Sequence, residues 1–287
     1  MQKNITPIQD VIPERRIVVF APHFDDFLLM VGGYILELKK AGLINTKEIS
    51  AMVLFSRSNY LARTGSGNFD TSLDRLKLAT GKRLLEDMDC MDELLGEFNY
   101  DYRLVGEMEC FAREKPFADS DMEFPHGVFE DFNKQDWQIF ERMKNLIRKH
   151  ARIKDTAIIF PLAVKEHIDH FIVREAGMAI ANELGNTAEA RFYFQEDKPY
   201  SGIAFDEELE RAEVFVNKNG LESRVYHYDP VKVTELAFKH YVSQVEELYK
   251  TGIEHRSSYL KAFYGANAPC DQIFVYNPKT AGSNSTQ

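Results

Sequence analysis

His23-Phe24-Asp25-Asp26 places an imidazole and two carboxylates within four residues. A second cluster, Glu166-His167-Ile168-Asp169-His170, places two imidazoles three positions apart with a carboxylate between them. Carboxylates removed from water need a cation or a bound water to offset the cost. A divalent ion supplies that, and mixed imidazole and carboxylate ligands suit zinc and other first-row metals. Each cluster also has an ordinary reading. Asp25 or Asp26 could cap the helix that follows, and Asp169 could cap one starting at His170, with the histidines on the surface. Two such clusters in one chain, each ending a strong strand, are harder to explain as unrelated surface features.

The elements that must position them are legible as apolar runs. Arg16 to Ala21 and Thr156 to Phe160 are β-rich, continuous and stopped by Pro22 and Pro161, as expected of buried parallel strands. Weaker strand patterns occur at Ser50 to Phe55, Tyr102 to Val105, Glu189 to Phe194, Glu213 to Val216 and Arg224 to His227. Helical periodicity runs from about Leu28 to Ala41, interrupted early by Gly32-Gly33. It recurs over Leu73 to Leu95, Trp137 to His150, His170 to Leu184 and about Val231 to Lys250. Alternating strands and helices predict an α/β, doubly wound, mostly parallel sheet of Rossmann-like topology. Ligands in such sheets bind outside the carboxyl ends of the strands, where both clusters would fall. With no internal repeat and no Gly/Ser-rich linker, residues 1–287 read as one domain with a frayed tail from about Pro278 to Gln287. The segment Glu107 to Asp136 reads as a long loop, either a lid or a surface insertion.

Composition narrows the class. The 287 residues are 44% hydrophobic, which excludes long disorder, and carry a net charge of −10, which argues against a nucleic-acid partner. No apolar stretch approaches the ~20 residues that span a bilayer, and the first residues show no apolar signal-peptide core. Three scattered cysteines, Cys90, Cys110 and Cys270, read as reduced packed thiols, so a cytoplasmic location and no membrane partner are expected. Asn59 and Tyr60 follow the second strand and are candidates to line a cleft, against an ordinary polar loop. Tyr193, with Phe194 and Tyr200, would form either an aromatic wall for a sugar ring or core packing. His126, in the long loop, reads as an exposed loop histidine more readily than as a site residue.

Taken in order, these motifs resemble the LmbE/PIG-L-like N-deacetylases, zinc hydrolases that remove acetyl from N-acetylglucosamine-type groups. The family's A-x-H-P-D-D-E signature is matched by Ala21-Pro22-His23-Phe24-Asp25-Asp26-Phe27, and its following glycine pair by Gly32-Gly33. Its H-P-D-H signature is matched by His167-Ile168-Asp169-His170 and its R-x-x-E element by Arg83-Leu84-Leu85-Glu86. Its later aromatic and acidic stretch is matched by Tyr193-Phe194-Gln195-Glu196-Asp197-Lys198-Pro199-Tyr200. The resemblance implies one Zn2+ on His23, Asp26 and His170, with a fourth position for water. It implies Asp25 as general base, His167 as the group that stabilises the oxyanion or protonates the leaving amine, and Asp169 as the group holding His167 in its tautomer. It implies Arg83 as a substrate contact, where a helix–helix salt bridge is the alternative. The substrate implied is a small amino-sugar derivative, and a homo-oligomer is left open. Phe24 stands where the family has Pro, and Phe27 where it has Glu. Phe27 is the feature that favours the competing reading, a non-catalytic carbohydrate- or nucleotide-binding protein on the same fold. A phosphoester hydrolase is disfavoured, since no basic or Gly-rich phosphate cradle is present.

Overall fold

The computed structural model describes residues 5–62, 70–97, 99–113, 115 and 127–278. Along the chain run α1 (Ile8–Val11), β1 (Arg16–Ala21), α2 (Gly33–Lys40), β2 (Glu48–Val53), α3 (Leu73–Leu95), β3 (Tyr100–Leu104), α4 (Lys134–His150), β4 (Thr156–Pro161) and α5 (Ile168–Leu184). They are followed by β5 (Arg191–Gln195), α6 (Tyr200–Ile203), α7 (Asp206–Lys218), β6 (Leu221–His227), α8 (Pro230–His240), α9 (Glu247–Tyr264) and β7 (Cys270–Tyr276). The strands form one sheet in the order β3-β2-β1-β4-β5-β7-β6, with β7 alone antiparallel to its neighbours.

The continuous apolar runs follow from burial on both faces. In β1, Ile17, Val19 and Ala21 enter one core while Val18 and Phe20 enter the other; in β4, Ala157 and Ile159 are set against Ile158 and Phe160 in the same way. The first core is closed by α2, α3 and α8 through residues such as Tyr34, Leu38, Met91, Leu94 and Val233. The second is closed by α4 and α5 through Phe140, Met143, Ile172 and Ile180. The chain leaves β1 through α2 to β2 on one side, whereas β4 pairs with β1 on the other. The strand order therefore reverses between β1 and β4, and their carboxyl ends open the crevice where ligands bind in this architecture.

Several expectations are corrected. Gly32 and Gly33 do not interrupt the first helix: a π-helical turn, Leu28–Gly32, runs directly into α2. Glu213 to Val216 is helical, inside α7, because the acidic first turn Asp206-Glu207-Glu208 starts a helix that buries Ala212 and leaves Val214 63% exposed. The pattern from Val231 to Lys250 is broken into α8 and α9, with Tyr241–Glu246 non-helical where Ser243 and Gln244 turn toward Glu86. β7 was not among the expected strands. The expected frayed tail, His126 and most of the middle of the long loop lie outside the described residues. No described helix is long and apolar enough to cross a membrane, and all three cysteines are free and buried.

One buried acid gives a pH signature. Asp87 of α3 accepts from the hydroxyls of Tyr102 (2.5 Å) and Tyr241 (2.6 Å), and burial pushes its pKa up to about 7. A folded-state pKa above the unfolded one means that the stabilisation is complete below about pH 4 and is lost as pH rises through about 7. Asp87→Asn is therefore expected to gain stability relative to the natural protein as pH rises from about 4 to 8. The gain is at most about 4 kcal/mol, from a shift of roughly three units at 1.36 kcal/mol each. Urea unfolding of both proteins across that range checks it; a constant difference contradicts it.

Candidate metal centre and active site

β1 and β4 each deliver one cluster to the crevice. After β1, the His23 N–H donates to Asp26 Oδ2 (2.8 Å), which folds the turn back on itself. After β4, α5 begins at Ile168 with His167 as its cap: His167 Nδ1 accepts from the Asp169 N–H at 3.2 Å. The result is that three atoms able to ligate a metal converge. His23 Nδ1 and Asp26 Oδ2 are 3.3 Å apart, His170 Nε2 and Asp26 Oδ2 3.2 Å, and His170 Nε2 and His23 Nδ1 3.3 Å. Ligands ~2.1 Å from a tetrahedral zinc stand ~3.4 Å from one another, so the triangle has the size of one face of such a site.

The outward nitrogens of both imidazoles are tied to carboxylates. His23 Nε2 meets Asp169 Oδ2 at 3.0 Å, and His170 Nδ1 meets Asp197 Oδ1 at 3.1 Å. Carboxylates in that position fix each ring's orientation and leave the inward nitrogen as the lone-pair donor, as around many metal-binding histidines. Asp169 is itself held by Arg113 (2.6 Å) and the Cys110 N–H (2.9 Å), and Asp197 by the Val164 N–H (2.7 Å). Of five buried carboxylates at the site, Asp25, Glu109 and Asp169 are paired with the buried Arg83 or Arg113 while Asp26 and Asp197 meet histidines, an excess of negative charge over the two arginines that suits a divalent cation. A second trio, His23, His167 and Asp169, is close enough to share an ion, but the Asp169 oxygens are already bonded to Arg113, Cys110 and His23.

The electrostatics point the same way. Burial alone would lower the His23 pKa; bonds to Asp169 and Asp26 outweigh it and push it up to about 9. His170 is raised well above its usual value, with burial again overcome by Asp26 and Asp197. Against its own burial, Asp26 is held well below the carboxylate range by His170 and His23. Atoms that attract protons this strongly attract a divalent cation too, and binding the ion releases the protons. Asp25 is raised by burial and by the Asp26 charge, against Arg83. His167 is drawn well below its usual value by burial and the His23 charge, so it is neutral.

Asp25, Tyr60, Arg83 and His167 line one small cavity with His23 and Asp26. It encloses about 20 Å3, room for a water but not for a sugar ring. Arg83 reaches it from α3, donating to Glu109 (3.0 Å), Ser58 Oγ (2.8 Å) and Gln244 Oε1 (2.6 Å), with Asp25 Oδ1 at 3.5 Å. Tyr60 stacks on Phe111, with ring centroids 5.6 Å apart. Phe24 lies under the Arg83 guanidinium at 5.7 Å, and Phe27 is fully buried in the first core, so neither departure from the family motif alters the ligand set.

Not every expected residue arrives. Tyr193 is buried in the first core and its hydroxyl donates to Glu14 (2.8 Å), which precedes β1, so this ring serves the opposite end of the sheet. Asn59 is buried without lining the cavity; its Nδ2 donates to the Asp70 carbonyl and its own carbonyl accepts from Arg75, which anchors the start of α3. Asp169 meets His167 through its backbone N–H, while its carboxylate orients His23. Glu109, Asp197, Arg113, Gln244 and Tyr249 are site residues that the sequence reading did not assign. Tyr200 and Tyr249 reach the cavity because α6 and α9 touch backbone to backbone: a methyl on Gly202 would sit 1.8 Å from the Gly252 carbonyl oxygen.

Asp197→Asn is expected to lower metal affinity about 10–100-fold, the usual cost of losing a carboxylate behind a ligand histidine. The amide still accepts from His170 but no longer raises its basicity. Competition with a chromophoric chelator measures this, and unchanged affinity contradicts the assignment.

No family model and no curated protein sequence matches the chain. Solved structures do. The A40926 pseudoaglycone deacetylase Dbv21 is 15% identical, with a TM-score of 0.53, over 92% of this chain and 98% of that one. The zinc-inhibited form of the teicoplanin deacetylase Orf2 is 16% identical, with a TM-score of 0.57, over 91% and 97%. The N,N'-diacetylchitobiose deacetylase from Pyrococcus horikoshii, complexed with its inhibitor MPG, is 11% identical, with a TM-score of 0.57, over 98% and 91%. At these identities the likeness is one of fold, and that fold is the one implied by the motifs' resemblance to the LmbE/PIG-L-like deacetylases.

Proposed function

We propose that the protein is a zinc-dependent N-deacetylase that hydrolyses the N-acetyl group of an N-acetylglucosamine-type amino-sugar conjugate. The observation that carries this reading is the 3.2–3.3 Å convergence of His23, Asp26 and His170, with Asp25 and His167 lining the same cavity. The fold shared with deacetylases supports it. His23, Asp26 and His170 would hold the Zn2+, which would supply a Lewis acid for an amide carbonyl and a water of pKa about 7.

Asp25 takes the proton of the attacking water. Glu109 also faces the cavity, but its oxygens are committed to Arg83 and Ser58, whereas the Asp25 carboxylate meets Arg83 at a longer 3.5 Å. The raised pKa of Asp25 makes it a stronger base than an ordinary carboxylate. His167 supplies the complementary function. Its Nδ1 accepts from the Asp169 N–H, so the ring proton is assigned to Nε2, where a neutral imidazole can donate a hydrogen bond to the oxyanion, while the proton that Asp25 took from water passes to the departing amine. Arg83, which lines the cavity, is the donor proposed for a sugar hydroxyl. Because the cavity holds only a water, sugar entry requires the wall of Tyr60, Gln244 and Tyr249 to move. A cytoplasmic location belongs to the same proposal and is supported by the three free cysteines.

Zinc-loaded protein incubated with N-acetylglucosamine conjugates should release acetate and leave a primary amine, with activity abolished by chelation and restored by zinc. Loaded protein that releases no acetate from any N-acetyl amino sugar would overturn the proposal.

A further inference from the structure

The outer face of α3 carries large apolar residues that stand exposed among the described residues. Leu78 is 62% exposed, Leu85 65% and Met88 40%. With Gly81 they fall at spacings of three, four and three, the seam by which one helix packs against another. Arg83, which serves the candidate active site, lies on the opposite, buried face of the same helix. Gly81 is the second observation. Glycine in mid-helix is unfavourable relative to alanine, and a methyl placed there would meet nothing within 4 Å, so the fold of this chain does not require it. A glycine inside an apolar seam is what close approach of another backbone requires.

The charges around the seam identify the partner. Lys77 and Lys82 outnumber Asp74 among the exposed charges in the amino-terminal half of α3; Asp89 and Glu93 are exposed in the carboxyl-terminal half, where Glu93 is already paired with Lys239 and His240. An antiparallel copy of the same helix sets the basic half against the acidic half, whereas a parallel copy sets like charges together. A two-fold pairing of this kind is self-complementary, the commonest form of closed assembly. A net charge of −10 disfavours an anionic membrane surface as the occupant.

We infer that α3 is the interface of a two-fold symmetric homodimer, with Leu78, Gly81, Leu85 and Met88 forming an antiparallel helix–helix seam. The inference stands apart from the catalytic reading, since none of these side chains touches the metal centre or the cavity.

Analytical ultracentrifugation of the full chain at micromolar concentration tests it. The natural protein should sediment at twice its 33.1 kDa mass. Leu78→Glu with Leu85→Glu should sediment at the mass of one chain with unchanged circular dichroism. The pairing direction is read by cysteine trapping, as the native cysteines are buried. Under mild oxidation Leu85→Cys, near the two-fold axis, should give a covalent dimer and Leu78→Cys should not. A monomeric natural protein overturns the inference, as does a dimer that survives the double substitution, or a monomer that instead floats with anionic vesicles. Efficient trapping by Leu78→Cys overturns the antiparallel arrangement. Gly81→Leu offers a second route: it should weaken self-association at least about 10-fold while leaving the monomer folded, and unchanged association contradicts the seam.

Discussion

Asp25→Asn is expected to retain its metal and to lose about 10²–10⁴-fold in kcat, the usual contribution of a general base. The substitution keeps size and some hydrogen bonding, and the Arg83 contact is already long at 3.5 Å, so little packing changes. It removes the ability to accept a proton. Because Asp26, the adjacent residue, is bonded within the ligand triangle, Asp26→Asn should show the other pattern, losing metal and turnover together. Metal content and kcat measured on both variants separate the roles. Asp25→Asn with zinc bound and near-natural turnover would move the base elsewhere, and Glu109 would be the next residue to test.

His170→Ala is expected to have the larger effect. It removes one of three ligand atoms, frees Asp26 Oδ2 from its 3.2 Å contact and leaves the buried Asp197 without its imidazole partner. Metal affinity should fall by more than the ~100-fold upper range for an outer carboxylate, and activity should become undetectable at stoichiometric zinc. His167→Ala, at the cap of the same helix, is the control. It lines the cavity but lies outside the ligand triangle, so it should keep the ion while losing rate. Equal metal affinity in the natural protein and His170→Ala would contradict the ligand assignment.

Which parts of this site were legible follows from chain distance. His23, Asp25 and Asp26 are consecutive with a buried strand, and His167, Asp169 and His170 with another, so local pattern located both clusters. Asp197 and Glu109 are single carboxylates on other segments, and nothing in their neighbours marks the bonds they make to His170 and Arg83. Asp169 does meet His167 Nδ1, as the motif implies, but through its backbone N–H, and its carboxylate meets His23 instead. A helix start at Ile168 turns its N–H toward His167 and its carboxylate toward His23, a choice set by helix geometry. Tyr193 shows the converse, an aromatic beside a site motif whose strand register points it into the core. The parallel half of the sheet was legible because burial on both faces gives unbroken apolar runs. The Glu213–Val216 segment misled because a four-residue window cannot outweigh the helical periodicity around it.

The most direct test is an anomalous-diffraction measurement at the zinc edge on crystals of the protein purified without added metal, together with elemental analysis of the same preparation. The expected result is about one zinc per chain, ~2.0–2.2 Å from His23 Nδ1, Asp26 Oδ2 and His170 Nε2. An ion held by other residues, or deacetylase activity that persists in protein shown to be free of metal, would contradict it.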